Sequence, residues 1–465
     1  MVRTDPRPRV GPRHGRAWRA AAACLLLWLA AAAAARAVSE VRPPRLTYTV
    51  STLPNGLRII LHEDHSTPVV NVQVWYHVGS KNERPGRTGF AHLFEHLMFK
   101  GSKNVQPERH AALVSGVGGQ ANAYTTEDVT VFWETVPSQF LPMVLWLEAD
   151  RMASLRIERD VFEREREVVK EERRMRVENQ PYGRLSEIVN GYAFTVHPYK
   201  HPTIGSMADL EAASVEDVRQ FYRTYYVPAN ATIVIAGDID GGAAELAKKY
   251  FGRIPGPERP APRDVPMEPP QKSPRRLTIE ENWPLPVVVV AYHATSDGHP
   301  DSYPLQMASK ILSDGQASRI YRNLVYETGI ALSAAGVGNL SEHPGLFYAF
   351  AVVQPGHTVD EAELALVKEL DRLRTEPVSE RELARAKTQF TRDYVLGRET
   401  VQQKASVLAH ASVLHNNDVG SADGEYDLFQ RVTAADIQRV AQAYFAPGTR
   451  LVITVTPTLA KGGAE

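Results

Sequence analysis

A helix-then-strand unit that occurs twice limits the folds open to this chain more than any other feature. Ser214-Val215-Glu216-Asp217-Val218 begins a capped helix that reaches Tyr225-Tyr226-Val227-Pro228 and leads into the apolar strand Thr232-Ile233-Val234-Ile235-Ala236. Thr433-Ala434-Ala435-Asp436-Ile437 begins a similar helix that reaches Tyr444-Phe445-Ala446-Pro447 and leads into Leu451-Val452-Ile453-Thr454-Val455. In both, the capping residue precedes the proline by 14 positions, which implies duplicated domains. Residues 253–277 hold eight prolines and suit an extended connector between them. A chain of 465 residues is also too long for one small core. The expected organisation is a first domain over 45–252, a proline-rich linker over 253–277 and a homologous second domain over 278–460. Leu53-Pro54-Asn55-Gly56-Leu57 is a hairpin signal, Val69 to Val78 reads as a strand, and helical patterns run near 88–99, 106–116, 138–152 and 158–178. The expected class is therefore α+β, each domain a mostly antiparallel sheet packed with helices.

Residues 1–37 read as a signal peptide. Arg3, Arg7, Arg9, Arg13, Arg16 and Arg19 precede an apolar run from Ala20 to Ala35, and Ala35-Arg36-Ala37 fits a cleavage site. The expected destination is outside the cytoplasm, periplasmic or secreted, with an uncleaved amino-terminal anchor as the competing reading. No later segment approaches the roughly 20 apolar residues of a spanning helix, so no stable membrane span is expected in the mature chain. Without the leader the net charge is −7, which gives no reason to expect nucleic-acid binding. The only cysteine, Cys24, falls inside the leader. Any metal in the mature chain must then be held by His, Asp or Glu.

The segment Gly89-Phe90-Ala91-His92-Leu93-Phe94-Glu95-His96-Leu97-Met98-Phe99 supplies such residues. On a helix His92, Glu95 and His96 lie at i, i+3 and i+4 and project from one side. Two imidazoles one turn apart can grip one zinc ion, and the carboxylate between them can reach a water on it. A catalytic zinc needs a third protein ligand. Glu172 is the best candidate, because Glu165 and Glu172 fall at i and i+7 with Val168 and Val169 between them, on what reads as the apolar face of a charged helix. The other acids of that helix read as a solvated surface.

With Glu-Arg-Glu-Arg-x-Val-Val-x-x-Glu ending 76 positions after the second histidine of His-x-x-Glu-His, the chain resembles the pitrilysin (insulinase-like) zinc metallopeptidases over nearly its whole mature length. The likeness implies one Zn²⁺ per chain, held by His92, His96 and Glu172, with Glu95 as catalytic base and Glu165 supporting the site without binding the metal. It also implies that Gly119-Gln120-Ala121-Asn122-Ala123-Tyr124-Thr125 is an edge strand, where Asn122 and Ala123 pair with the backbone of a peptide substrate. Pattern alone would make this an ordinary hairpin strand.

The likeness breaks in the second domain. Family members usually add an Arg and a Tyr seven positions apart; here Val325 and Leu332 stand there and neither side chain can donate a hydrogen bond. One lost oxyanion donor costs about 3 kcal/mol of transition-state stabilisation. The resemblance therefore implies a heterodimer of the processing-peptidase type, in which a homologous partner subunit supplies the Arg and Tyr. A self-sufficient homodimer using Arg319, Tyr321, Arg322 or Tyr326, a non-catalytic assembly subunit and a zinc-storage protein remain as alternatives. The natural substrate and cleavage preference are not legible.

Overall fold

The computed structural model describes residues 42–458, so the expected leader and Cys24 lie outside the described residues. The turn at Leu53–Leu57 closes an antiparallel hairpin between β1 (Thr49–Thr52) and β2 (Arg58–Glu63). With β3 (Val69–Tyr76), β4 (Gln120–Thr125), β5 (Thr130–Pro137) and β6 (Ala231–Gly237) these form a six-stranded sheet in the order β1-β2-β6-β3-β5-β4. Its helices are α1 (Phe90–Leu97), α2 (Arg109–Gly116), α3 (Leu141–Ser154), α4 (Arg159–Arg173), α5 (Leu185–Ala193), α6 (Met207–Ala212), α7 (Val215–Tyr225) and α8 (Ala243–Phe251). The helical patterns near 88–99, 106–116, 138–152 and 158–178 correspond to α1 through α4, with a wide turn at Arg174–Glu178 continuing α4.

Residues 252–274 contain no helix or strand. This segment is nonetheless pinned, because the Glu268 carboxylate accepts the backbone N–H groups of Thr195, Val196 and His197 at 2.8–2.9 Å. Beyond it, β7 (Arg275–Glu281), β8 (Val287–His293), β9 (Ala331–Asn339), β10 (Leu346–Val353) and β11 (Leu451–Pro457) form a second sheet in the order β7-β11-β8-β10-β9. The helices here are α9 (Ser302–Ser313), α10 (Val359–Thr375), α11 (Glu380–Leu396), α12 (Val401–Leu414), α13 (Ser421–Arg431) and α14 (Ala434–Tyr444).

Leaving out β1, the two sheets match strand for strand. Each begins with one parallel pair, β2 with β6 and β7 with β11, and continues antiparallel in the same chain order. The repeated sequence unit is the same object in both: α7 and α14 each have 11 residues and a complete capping box, Ser214 with Asp217 and Thr433 with Asp436. Each then runs through a short proline turn into a seven-residue strand. The architecture is two domains of one α+β kind.

Each central strand is buried on both faces, as in β6, whose seven residues are all buried. Such a sheet needs two covers. The first domain's own helices cover one face, through residues such as Leu93, Phe94, Val144, Val169 and Val218. The opposite face, carrying Ile60, Trp75, Val131 and Val234, is covered by Ala405, Leu408 and Ala409 of α12, a helix of the second half of the chain. Reciprocally, Ile188, Val189 and Ala193 of α5 cover Val287, Val289, Ile453 and Val455 of the second sheet. Polar groups fix the register of this exchange: the Gln73 amide donates to the Gln402 carbonyl at 2.8 Å and the Ser406 hydroxyl at 3.0 Å, and Lys404 pairs with Asp64.

Leu408 is fully buried against the first sheet, so Leu408→Ala is expected to cost about 2–5 kcal/mol. Because the helices are exchanged, the loss should appear as a shift of one transition for the whole chain in urea unfolding. A second-domain transition moving alone would contradict the reciprocal cover.

Candidate metal centre

α1 lacks a capping side chain of its own, because Gly89 stands at the cap position with φ +92. Glu83 does that work from six residues upstream: its buried carboxylate accepts the N–H groups of Gly89 and Ala91, both at 2.8 Å. The start of α1 is also wedged against Gly205. A Cβ on Gly205, at φ +81, would lie 2.5 Å from the Thr88 carbonyl and 2.6 Å from Gly89 Cα. The Gly205 carbonyl in turn accepts Arg173 of α4 at 2.8 Å, and Arg173 forms an ion pair with Glu187 of α5. One glycine thus couples the helix bearing His92, Glu95 and His96 to the helix bearing Glu165 and Glu172.

These helices bring three donor atoms together. His96 Nε2 lies 3.1 Å and His92 Nε2 3.7 Å from Glu172 Oε2, and the other Glu172 oxygen is held by Arg176. Glu165 lies on the far side of the His96 ring, with Oε2 3.7 Å from Nδ1, outside the donor triangle. Its second oxygen faces Lys100 at 3.3 Å. The inward stripe of α4 differs from the expected one at one position: Val169 is fully buried, but Val168 is 48% exposed at the stripe's margin, and Phe162 and Val161 complete the apolar face instead.

Burial, reinforced by the neighbouring His96, lowers the pKa of His92 to about 4 and keeps its imidazole neutral, as a metal ligand requires. Burial also raises Glu95, against the Thr125 hydroxyl that donates to its Oε2 at 2.8 Å. Among the described residues, His92 Nδ1 is buried with no hydrogen-bond partner, whereas a metal-bound imidazole commonly has an outer hydrogen bond that orients it.

Thr125 ends β4, the edge strand of the first sheet, which pairs only with β5. Asn122 and Ala123 lie in that strand opposite Trp133 and Phe132, and the Ala123 N–H is taken by its neighbour's Asn122 Oδ1 at 2.8 Å. Across the second domain, Val325 is packed against the core and Leu332, at the start of edge strand β9, is 60% exposed. Arg319 is buried and bound fork-to-fork by Glu382 at 2.7 and 3.0 Å, while Arg322 is paired with Glu327 at 2.6 Å. The Arg319 pair is largely buried, whereas the Arg322 pair is an exposed surface contact.

Several contributors had no role in the sequence analysis. Arg176 was legible, four positions after Glu172 on the same helix. Thr125 closes the segment expected as an edge strand. Glu83 and Gly205 carry no local signal, since what they do depends on a distant backbone.

A helix presenting two histidines and a glutamate to a distant carboxylate, beside an open sheet edge, has the makings of a metallopeptidase site. The comparisons agree on the class. Residues 58–206 match the model for insulinase (peptidase family M16), and residues 212–390 match that for the peptidase M16 inactive domain. The zinc protease PqqE of Helicobacter pylori is 30% identical over 410 residues, covering 87% of this chain and 92% of that one. A crystal structure of a protease from Helicobacter pylori superimposes with a TM-score of 0.85 at 29% identity, covering 89% of this chain and all of that one. A protein of Arabidopsis thaliana named probable mitochondrial-processing peptidase subunit beta is 25% identical over 408 residues, 85% of this chain and 76% of that one. The chain belongs to the insulinase family of peptidases, M16.

Among the described residues no helix is long and apolar enough to cross a membrane.

Gly205→Ala should separate α1 from α4. The left-handed backbone and the close approach predict a loss of at least about 1 kcal/mol in stability. Zinc content measured on the same preparation is expected to fall with it; unchanged zinc content would show that Gly205 does not set the spacing of the two helices.

Proposed function

We propose that the chain is an exported zinc metalloendopeptidase, the zinc-bearing subunit of a heterodimer. The observation that carries the reading is the convergence of His92 Nε2, His96 Nε2 and Glu172 Oε2 on one side of α1, with Glu95 on the same helix held by Thr125 from the strand edge. Two imidazoles and one carboxylate are a donor set of catalytic zinc sites, and the relatives named zinc proteases support the same metal.

When bound, zinc would polarise the peptide carbonyl and make a water easier to deprotonate. Glu95 would take the proton of the attacking water and pass it to the leaving amine, a role that suits a carboxyl whose pKa burial has raised. Thr125 keeps Glu95 Oε2 oriented while the other oxygen remains available. A substrate strand would add to β4 at Asn122 and Ala123, displacing the Asn122 side chain from the Ala123 N–H, with backbone hydrogen bonds placing the scissile peptide near Glu95. Glu165 would act through His96, turning the ring so that Nε2 faces Glu172. Lys100 keeps Glu165 itself in place.

The heterodimer part of the reading rests on what the second domain lacks. Val325 is packed against the core, Leu332 offers no donor, and Arg319 is held by Glu382, while Arg322 makes only an exposed pair with Glu327. A homologous partner chain supplying an Arg and a Tyr would restore oxyanion and substrate contacts. The relative named as a subunit beta fits such an arrangement. Export to the periplasm or medium is proposed from the arginine-then-alanine leader alone.

Glu95→Gln is expected to keep zinc and lower peptide turnover by about 10²–10⁴-fold, whereas His92→Ala should lose zinc and turnover together. Peptide hydrolysis and zinc content measured in parallel decide this, and undiminished turnover in Glu95→Gln would remove Glu95 from the reaction. Adding the homologous chain that co-purifies should raise hydrolysis by about 10²–10³-fold, the effect of one oxyanion donor. Full activity of the purified chain alone would discard the partner.

A further inference from the structure

We infer that Asp297, His410 and His415 form a second metal site, far in sequence from the candidate catalytic centre, that takes one divalent transition-metal ion of the zinc type. His410 lies on the last turns of α12 and His415 directly follows that helix, both beside the loop after β8 that carries Asp297. His415 Nε2 is 3.3 Å and His410 Nε2 3.6 Å from the same oxygen, Asp297 Oδ2. The corresponding separations at Glu172 are 3.1 and 3.7 Å. Ligands at about 2.0–2.1 Å from a tetrahedral ion stand about 3.3–3.4 Å apart, so the spacing suits a shared ion.

The hydrogen accounting points the same way. The Ser421 hydroxyl donates to the Asp418 carbonyl at 2.6 Å, so its oxygen must accept from His415 Nδ1, 2.9 Å away. Nδ1 therefore carries a hydrogen, which leaves Nε2, turned toward Asp297, to take either a second proton or a metal ion. Asp297 Oδ1 is already taken by the Gly298 N–H at 3.0 Å, which leaves Oδ2 turned to both histidines. A lone pair and a carboxylate oxygen at 3.3 Å repel unless a cation lies between them. A second proton on His415 would relieve one pair; a single metal ion relieves both. An imidazole whose outer nitrogen donates to a fixed oxygen while its inner nitrogen faces a carboxylate has the usual surroundings of a metal ligand.

Among the described residues no lysine or arginine is paired with Asp297, whose only ion-pair partners are these two histidines. A third cluster, His110, Glu134 and Glu148, shows the contrast: it is fully buried, but Arg151 is bonded into it and provides the positive charge. Two imidazole nitrogens and one carboxylate select zinc, cobalt or nickel over calcium and magnesium, which favour oxygen donors. The site has no carboxylate placed as Glu95 is and no open strand beside it. Its role is structural: it fastens the end of α12, which covers the first sheet, to the loop after β8 of the second.

The test isolates this site by removing the other. The full chain carrying His92→Ala and His96→Ala, stripped of metal, is titrated with Zn²⁺ and with Co²⁺. One equivalent is expected to bind, with a visible Co²⁺ absorption and a rise of several degrees in the thermal midpoint. Adding His410→Ala or Asp297→Asn should abolish all three signals. In the otherwise unaltered chain, His410→Ala should lower zinc content from two equivalents to one while leaving Glu95-dependent hydrolysis in place; His410 is 42% exposed, which favours folding of that variant. No uptake by the folded His92→Ala/His96→Ala chain, or uptake indifferent to His410 and Asp297, overturns the proposal. Neither result bears on the catalytic reading, because the titrated chain lacks that site.

Discussion

Each sheet in this protein has two apolar faces, and only one of them can be covered from its own half of the chain. The rest of the structure follows from how the second face is closed. Strands such as β6 and β8 are buried almost throughout, so leaving a face open would expose Ile60, Trp75 and Val234 on one sheet and Val287, Val289 and Ile453 on the other. At about 25 cal/mol per Å² of apolar surface, leaving either face open would cost part of a net stability that is small to begin with. α12 and α5 close the two faces reciprocally. The second domain, which lacks the metal motif, is thereby necessary to the domain that carries it.

The duplication was legible because capping chemistry is local. Ser214 with Asp217 and Thr433 with Asp436 are three residues apart, and the proline that ends each unit fixes the strand entry. The continuous apolar runs at Thr232–Ala236 and Leu451–Val455 read as strands, and the structure adds that both of their faces are buried. The exchange was not legible, since nothing in the α12 sequence says which sheet it lies on. Gln73 and Gln402 are 329 positions apart, and their meeting is decided only when both sheets exist. The exposed Val168 has a related cause: periodicity assigns a face but cannot say how far the cover extends across it.

The candidate centre divides along the same line. His92, Glu95 and His96 were readable because one turn of helix fixes their relative positions, and Glu172 because it shares a face with Glu165. What holds those helices at the working separation was not readable. It lies in the Glu83 carboxylate and the contact of Gly205 with Gly89, where the absence of side chains matters more than their presence. The departures at Val325 and Leu332 were visible as residue types, but only the packing shows that Arg319 is already held by Glu382.

Glu172 and Asp297 present the same electrostatic arrangement in two settings. Each carboxylate has one oxygen pinned, by Arg176 in one case and by the Gly298 N–H in the other, and each turns its remaining oxygen to two Nε2 atoms. Pinning one oxygen fixes the direction of the other lone pairs, which is what a convergent donor set needs before any ion arrives. The surroundings then separate the roles. At Glu172 a further carboxylate, Glu95, stands on α1 between the two histidines and beside an unpaired strand edge. At Asp297 the neighbouring Glu425 lies 4.0 Å from the outer nitrogen of His415, which the Ser421 hydroxyl already engages. One geometry thus adjoins an open strand edge in one place and a helix end in the other, and the roles proposed for the two sites differ for that reason.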